Sequence, residues 1–301
     1  MKMIKTRCPI CNSLEDYTIL YKSSFNDSDI NFEVFSARRL PDSIHYQIVK
    51  CKNDKLVRSN PICEDISYKN LYKNSKFNYA DQVDNLTVSY LNALGRVLPK
   101  LSKDARILEV GCGNGFVLSA LLDAGYNNLY GIEPSLDAIL RADSRIKDRI
   151  IADVLRDGIY KRESFDFIFF FQTLDHIQDP NTFLNICNNL LSPGGYILCF
   201  NHDIESLSSR FLGEKSPIID IEHTYLYSKE TITKIFTKNN FRTVAVYSPK
   251  NIVSFRYLIW LLPIPIKFKL KLLNLKGRAA NFLLRQRVKL SLGNLCIIGQ
   301  K

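Results

Sequence analysis

The chain has 301 residues, 46% of them hydrophobic and 24% charged, the balance of a soluble globular protein with one sizeable core and an appendage. The start, "MKMIKTRCPICNS", has no apolar stretch that reads as a secretory signal, and the longest apolar run, Tyr257 to Ile266, holds two prolines and is too short for a membrane span. A cytoplasmic protein is expected, peripheral at most at the inner membrane surface. The net charge of +11 is concentrated: residues 250–301 carry eleven Lys or Arg and no Asp or Glu, while 30 basic and 30 acidic residues balance elsewhere.

Residues 1–66 show little helical periodicity and hold four of the eight cysteines, which without an export signal read as thiols or metal ligands rather than a disulfide framework. Cys8 and Cys11 form a C-x-x-C half-site able to grip one tetrahedral metal. Cys51 opens a second half in which Asp54 stands at the fourth position, with Cys63 and His45 as possible substitutes. Zinc accepts carboxylate oxygen, so Cys8, Cys11, Cys51 and Asp54 are a candidate Zn set.

From Tyr68 to Leu98 apolar residues recur at helical spacing, and Pro99 stops the pattern. The runs "RILEV", "NLYGIE", "RIIADV", "FDFIFFF", "GGYILCF" and "RTVAVYS" read as strands separated by helix-sized stretches such as Phe116 to Ala124 and Asn181 to Leu191. Such alternation predicts an α/β fold with a doubly wound parallel sheet, its core and preceding helices over 67–248.

In such a sheet the loop after the first strand meets a helix amino terminus. Here it reads "EVGCGNG": Gly111, Gly113 and Gly115 follow Glu109 as G-x-G-x-G, with no basic residue to hold a pyrophosphate. A carboxylate at that point suits a cationic ligand, such as an amino acid joined to a sulfonium. Glu133 ends the next strand about twenty residues on, where it can accept from both hydroxyls of a ribose. Asp153 follows the third strand, within reach of an adenine amino group.

Through "EVGCGNG", "GIEPS", "ADV", "LDHIQDP" and "LLSPGGYI", in that order, the segment from about Tyr68 to Tyr247 resembles the class I S-adenosylmethionine-dependent methyltransferases. The resemblance implies a Rossmann-like seven-stranded sheet and S-adenosyl-L-methionine as cofactor. It places Glu109 and the three glycines around the methionine part, Glu133 on the ribose, Asp153 near adenine, and Phe171 and Gln172 along the pocket. No Asn/Asp-Pro-Pro-Tyr/Phe motif follows the fourth strand, where "FQTLDH" stands, so methylation of a nucleobase amine is not expected.

Three of the four histidines, His176, His202 and His223, fall after strand ends or in loops on the expected active-site side. Glu222 beside His223 reads as a carboxylate that orients an imidazole base. Together with His176 and Tyr79 this pair resembles the acceptor site of deoxysugar C-methyltransferases, a family that also carries an amino-terminal cysteine zinc module; the further carboxy-terminal domain of those enzymes is absent from this chain. The resemblance implies a sugar, or a nucleotide- or lipid-linked glycan precursor, as methyl acceptor.

The sixth and seventh strands, "RTVAVYS" and "NLCIIGQK" (294–301), are separated by a basic, apolar insertion over 249–293 that reads as a lid, an interfacial segment or a clamp for an anionic acceptor. The expected partners are thus an anionic small molecule and an anionic membrane surface. Nucleic acid is disfavoured because no familiar RNA-binding module precedes the core. The alternatives are an RNA methyltransferase, whose phosphate contacts the basic segment would supply, and a non-catalytic S-adenosylmethionine-binding protein.

Overall fold

The computed structural model describes residues 2–25, 44–64, 82–261, 264–274, 282–284, 286–291 and 293–301. Five short strands come first: β1 (Met3–Ile4), β2 (Tyr17–Tyr21), β3 (Ile48–Cys51), β4 (Val57–Ser59) and β5 (Ile62–Cys63). Helix α1 spans Val83–Leu94 and ends at Gly95, a few residues before the Leu98 limit of the helical spacing, and Pro99 sits in a separate 3-10 turn, Leu98–Lys100. The amino-terminal part of that pattern, with Tyr79, lies outside the described residues.

The core continues as β6 (Ile107–Val110), α2 (Phe116–Asp123), β7 (Leu129–Ile132), α3 (Leu136–Leu140), α4 (Ser144–Lys147), β8 (Ile150–Ile151), β9 (Phe165–Phe171), α5 (Pro180–Leu190), β10 (Leu191–His202), α6 (Leu207–Leu212), β11 (Tyr225–Leu226), α7 (Lys229–Lys238) and β12 (Arg242–Tyr247). The chain closes with β13 (Asn251–Ser254), α8 (Phe255–Leu261), α9 (Ile266–Leu273), β14 (Arg287–Leu290) and β15 (Asn294–Gln300).

Seven strands form one sheet in the order β12-β15-β10-β9-β6-β7-β8. It is parallel except for β15, which runs antiparallel between β10 and β12. Strand order reverses at β6, whose neighbours are β7 and β9, so the crevice at its carboxyl end is where such a sheet binds ligands. The phenylalanine-rich β9 shows why: alternate side chains enter opposite faces, Ile168 and Phe170 one core cluster and Phe167, Phe169 and Phe171 the other. Asp179 caps α5 by accepting from Thr182 N, with Pro180 in its first turn.

The cysteine-containing segment is not a free-standing appendage. Its β2-β3-β4 sheet is completed by β11 of the core, with Tyr225 opposite Arg58 and Leu226 opposite Val57. Further bonds tie the two parts: Asn181 Nδ2 and Lys238 Nζ donate to the Pro9 carbonyl oxygen at 2.9 and 2.6 Å.

The insertion leaves as β13 and returns as the antiparallel β14, and Ile252 N donates to Ser89 Oγ of α1 at 2.8 Å. Lys269, one of the eleven basic residues of 250–301, is only 6% exposed, and burial lowers its pKa. Lys267 and Lys271 are exposed, as are Phe268, Leu270 and Leu272.

Candidate cofactor and acceptor site

The glycine loop leaves β6 with Gly111, Gly113 and Gly115 at φ of 72°, 56° and 70°, backbone that side chains rarely adopt. At Gly111 the constraint is double, since a Cβ would lie 2.7 Å from Thr173 Oγ1. Glu109 is 3% exposed, and its Oε2 has no hydrogen-bond partner. Burial, then the nearby Glu133, pushes the Glu109 carboxyl well above its usual range. Glu133 is buried too: Oε2 accepts from Gly113 N and Oε1 from Ser135 N, both at 2.8 Å. Burial raises its carboxyl, against those two bonds. A loop carrying two buried acids, one with an orphaned oxygen, fits a ligand that brings positive charge and hydroxyl donors.

Asp153 is half-buried and engaged by its own loop, Oδ1 accepting from Val154 N at 2.8 Å and Oδ2 from Arg156 Nε at 2.9 Å. Phe171 is buried, its ring stacked on Tyr90 of α1 with centroids 3.8 Å apart, so it backs the wall beside the loop. Gln172 follows at φ 48°, its N donating to the Phe200 carbonyl oxygen at 2.6 Å. That kink delivers Thr173 to the glycine loop and starts the 3-10 turn Leu174–His176.

On that turn sits Asp175, 1% exposed, with three imidazoles around it. His202 Nδ1, at the end of β10, lies 2.8 Å from Asp175 Oδ2. His176 Nε2 lies 3.7 Å from Oδ1, and His223 Nε2 3.8 Å from Oδ2. The His223 ring is 4.9 Å from each of the other two rings. Burial pushes the His176 imidazole down to about 4, although Asp175 pulls it up. Asp175 is held well below the usual carboxylate range: burial opposes ionisation, and the three histidines, His176 first, outweigh it.

The cysteine cluster lies elsewhere. Cys8, Cys11, Cys51 and Asp54 place one donor atom each within 4.8 Å of the others. Cys11 and Cys51 sulfurs are 3.6 Å apart, and Cys8 Sγ is 3.7 Å from Asp54 Oδ2. A zinc–sulfur bond of about 2.3 Å puts two tetrahedral thiolates about 3.8 Å apart, so the set fits one zinc ion. Cys63, on β5, and His45, bonded to the Tyr46 carbonyl oxygen at 2.8 Å, are not part of it.

Residues 83–246, more than half of the chain, match the family described as a methyltransferase domain. The chain belongs to this methyltransferase family. It is therefore an S-adenosylmethionine-dependent enzyme, and the buried acids of its glycine loop fit that cationic cofactor. The methyltransferase is 27% identical over 130 residues to the ubiquinone biosynthesis O-methyltransferase of Ralstonia nicotianae, covering 41% of this chain and 52% of that protein. It is 36% identical over 113 residues to the tRNA U34 carboxymethyltransferase of Cellvibrio japonicus, covering 34% of this chain and 35% of that one. The chain thus spans about a third to two thirds of the length of the curated relatives it matches. A solved complex between the Haloferax volcanii Trm112 methyltransferase activator and a methyltransferase shares the fold, with a TM-score of 0.51 at 20% identity over 73% of this chain and 91% of that one.

Within the methyltransferase, the structure gathers Glu109, Gly111, Gly113, Gly115 and Glu133 at the end of β6, and His176 and His223 at a second centre beside it. The carboxylate that faces the His223 ring at 3.8 Å is that of Asp175, and the other ring nitrogen, Nδ1, lies 2.8 Å from the Ile218 carbonyl oxygen. Asp175 escaped sequence reasoning; the signal for it was an acid directly after the fourth strand, next to one histidine of the three.

Proposed function

We propose that the enzyme transfers a methyl group to an oxygen of a small-molecule acceptor docked at the Asp175 cluster. The observation that carries this reading is the 2.8 Å contact between His202 Nδ1 and Asp175 Oδ2. A buried carboxylate accepting from Nδ1–H fixes the tautomer, so Nε2 of the 21%-exposed His202 can take a hydroxyl proton. S-adenosyl-L-methionine supplies an activated methyl group. Glu133 accepts from its ribose hydroxyls, Glu109 and the glycines receive its amino acid part, Asp153 reaches the adenine edge, and Phe171 and Gln172 shape the wall. The protein's remaining task is alignment of the acceptor and exclusion of water.

The name of the Ralstonia relative, an O-methyltransferase, supports an oxygen acceptor. A sugar or glycan-precursor acceptor, implied by the likeness through Glu222, His223, His176 and Tyr79, has less support because neither relative above is named for one. The experiment is incubation with isotopically methyl-labelled cofactor and a panel of hydroxylated aromatics, nucleotide sugars and tRNA. Label on a small-molecule oxygen, reduced roughly 10²-fold or more in His202→Gln, is expected. Label confined to RNA contradicts the reading.

We propose in addition that Cys8, Cys11, Cys51 and Asp54 hold a structural zinc ion, which near-stoichiometric zinc in protein purified without chelator would support and its absence would refute. The insertion is proposed to meet an acidic membrane leaflet. What supports this is the 61%-exposed Phe268, flanked by exposed Lys267 and Lys271 in a segment without acids.

A further inference from the structure

Asp175 is almost wholly buried, yet among the described residues its Oδ1 receives no hydrogen bond. Among the described residues only His202 comes within hydrogen-bond distance of the carboxylate; the 3.7 and 3.8 Å separations to His176 and His223 are too long. His223 Nδ1 lies 2.8 Å from the Ile218 carbonyl oxygen, which can only accept. Nδ1 therefore carries a proton, and in the neutral ring Nε2 turns a lone pair towards Asp175. His176 likewise turns Nε2 towards Asp175, 3.7 Å from Oδ1. Lone pairs directed at a buried anion repel it unless positive charge lies between them.

An imidazole anchored at one nitrogen by a backbone oxygen, with the other nitrogen aimed across a gap at a carboxylate, as in His223, is arranged as a metal ligand is. The donor atoms of Asp175, His176 and His223 all lie within 4.8 Å of one another. Donors bound to one ion at about 2.1 Å stand roughly 3.0 to 4.2 Å apart, a range that contains both measured separations. We infer that Asp175, His176 and His223 form a site for a divalent first-row transition-metal ion. Two imidazoles and one carboxylate leave coordination positions open. An acceptor oxygen that fills one is polarised next to His202, which lowers the cost of removing its proton. That role rests on the proposed function; the metal site itself stands on the geometry alone.

The test is Co2+ titrated into metal-depleted, full-length protein without cofactor or acceptor, followed by visible absorption. Thiolate ligands add intense charge-transfer bands, whereas imidazole and carboxylate ligands give only weak ligand-field bands, so the cysteine cluster is read separately. Bound Co2+ with the weak spectrum is expected in the wild type and in Cys8→Ser/Cys11→Ser. In His176→Gln and His223→Gln its affinity should fall on the order of tenfold or more, while unchanged S-adenosylmethionine affinity shows that these variants fold. No such Co2+ in the wild type, or equal affinity in both folded histidine variants, overturns the site. Loss of turnover in His202→Gln bears on the proton-transfer reading alone, since His202 is not a ligand here.

Discussion

Ser59 Oγ donates to the carbonyl oxygen of His223 at 2.7 Å, so a strand of the cysteine segment fixes one side of the acceptor centre. Ser59 N donates to the Thr224 carbonyl oxygen at 2.9 Å, and Thr224 N to that of Asp175 at 2.8 Å. Residues 223 and 224 are thereby clamped between β4 and the turn that carries Asp175. Ser59→Ala should cost about 1 kcal/mol of stability and lower kcat while leaving cofactor affinity intact. Denaturant unfolding and steady-state rates check this; an unchanged kcat would mean that the clamp does not position the site.

Glu109 should report cofactor binding through a proton. Its carboxyl is raised by burial and by Glu133 in the free protein, and a cationic ligand favours the ionised form. The pKa must then fall on binding, so a proton is released and affinity grows as pH rises from the ordinary carboxylate value towards the raised one. Calorimetry in buffers of different ionisation enthalpy should show release in the wild type and much less in Glu109→Gln. Proton uptake would have the wrong sign for this account.

The sheet was legible in the sequence because parallel strands covered on both faces read as nearly continuous apolar runs, as in Phe165 to Phe171 with Asp166 its one polar residue, and because the glycines mark where β6 turns into α2. The acceptor centre was not. His176, His202 and His223 come from three separate segments, and only the tertiary fold brings them round Asp175. Adjacency pointed to Glu222 beside His223, whereas the Asp175 carboxylate that faces the same ring lies far off in the chain. The pairing of β11 with β4 joins two-residue and three-residue strands far apart in sequence, too short for any period to show. Charge counting marked the insertion correctly but could not tell that Lys269 turns inward.

The exposed part of the insertion should respond to charge reversal. Lys267→Glu with Lys271→Glu, Lys269 left in place, should weaken binding to vesicles rich in anionic lipid by about 1 kcal/mol or more per residue. Binding by the wild type should fall as salt rises, because exposed charges are screened beyond about 8 Å at physiological ionic strength. Sedimentation with vesicles decides it: no wild-type binding, or binding indifferent to both changes, leaves the segment a solvated face.

The most direct measurement is the affinity of S-adenosylmethionine for the wild type and for Glu133→Ala by titration calorimetry. Glu133 Oε2 already accepts from Gly113 N, so this carboxylate shapes the glycine loop and, in the proposed function, also accepts from the ribose. Losing hydrogen bonds to a charged group costs about 1.5 to 3 kcal/mol, so the account predicts wild-type binding that weakens roughly tenfold to a hundredfold in the variant. Equal affinities, or no binding by the wild type, would contradict it.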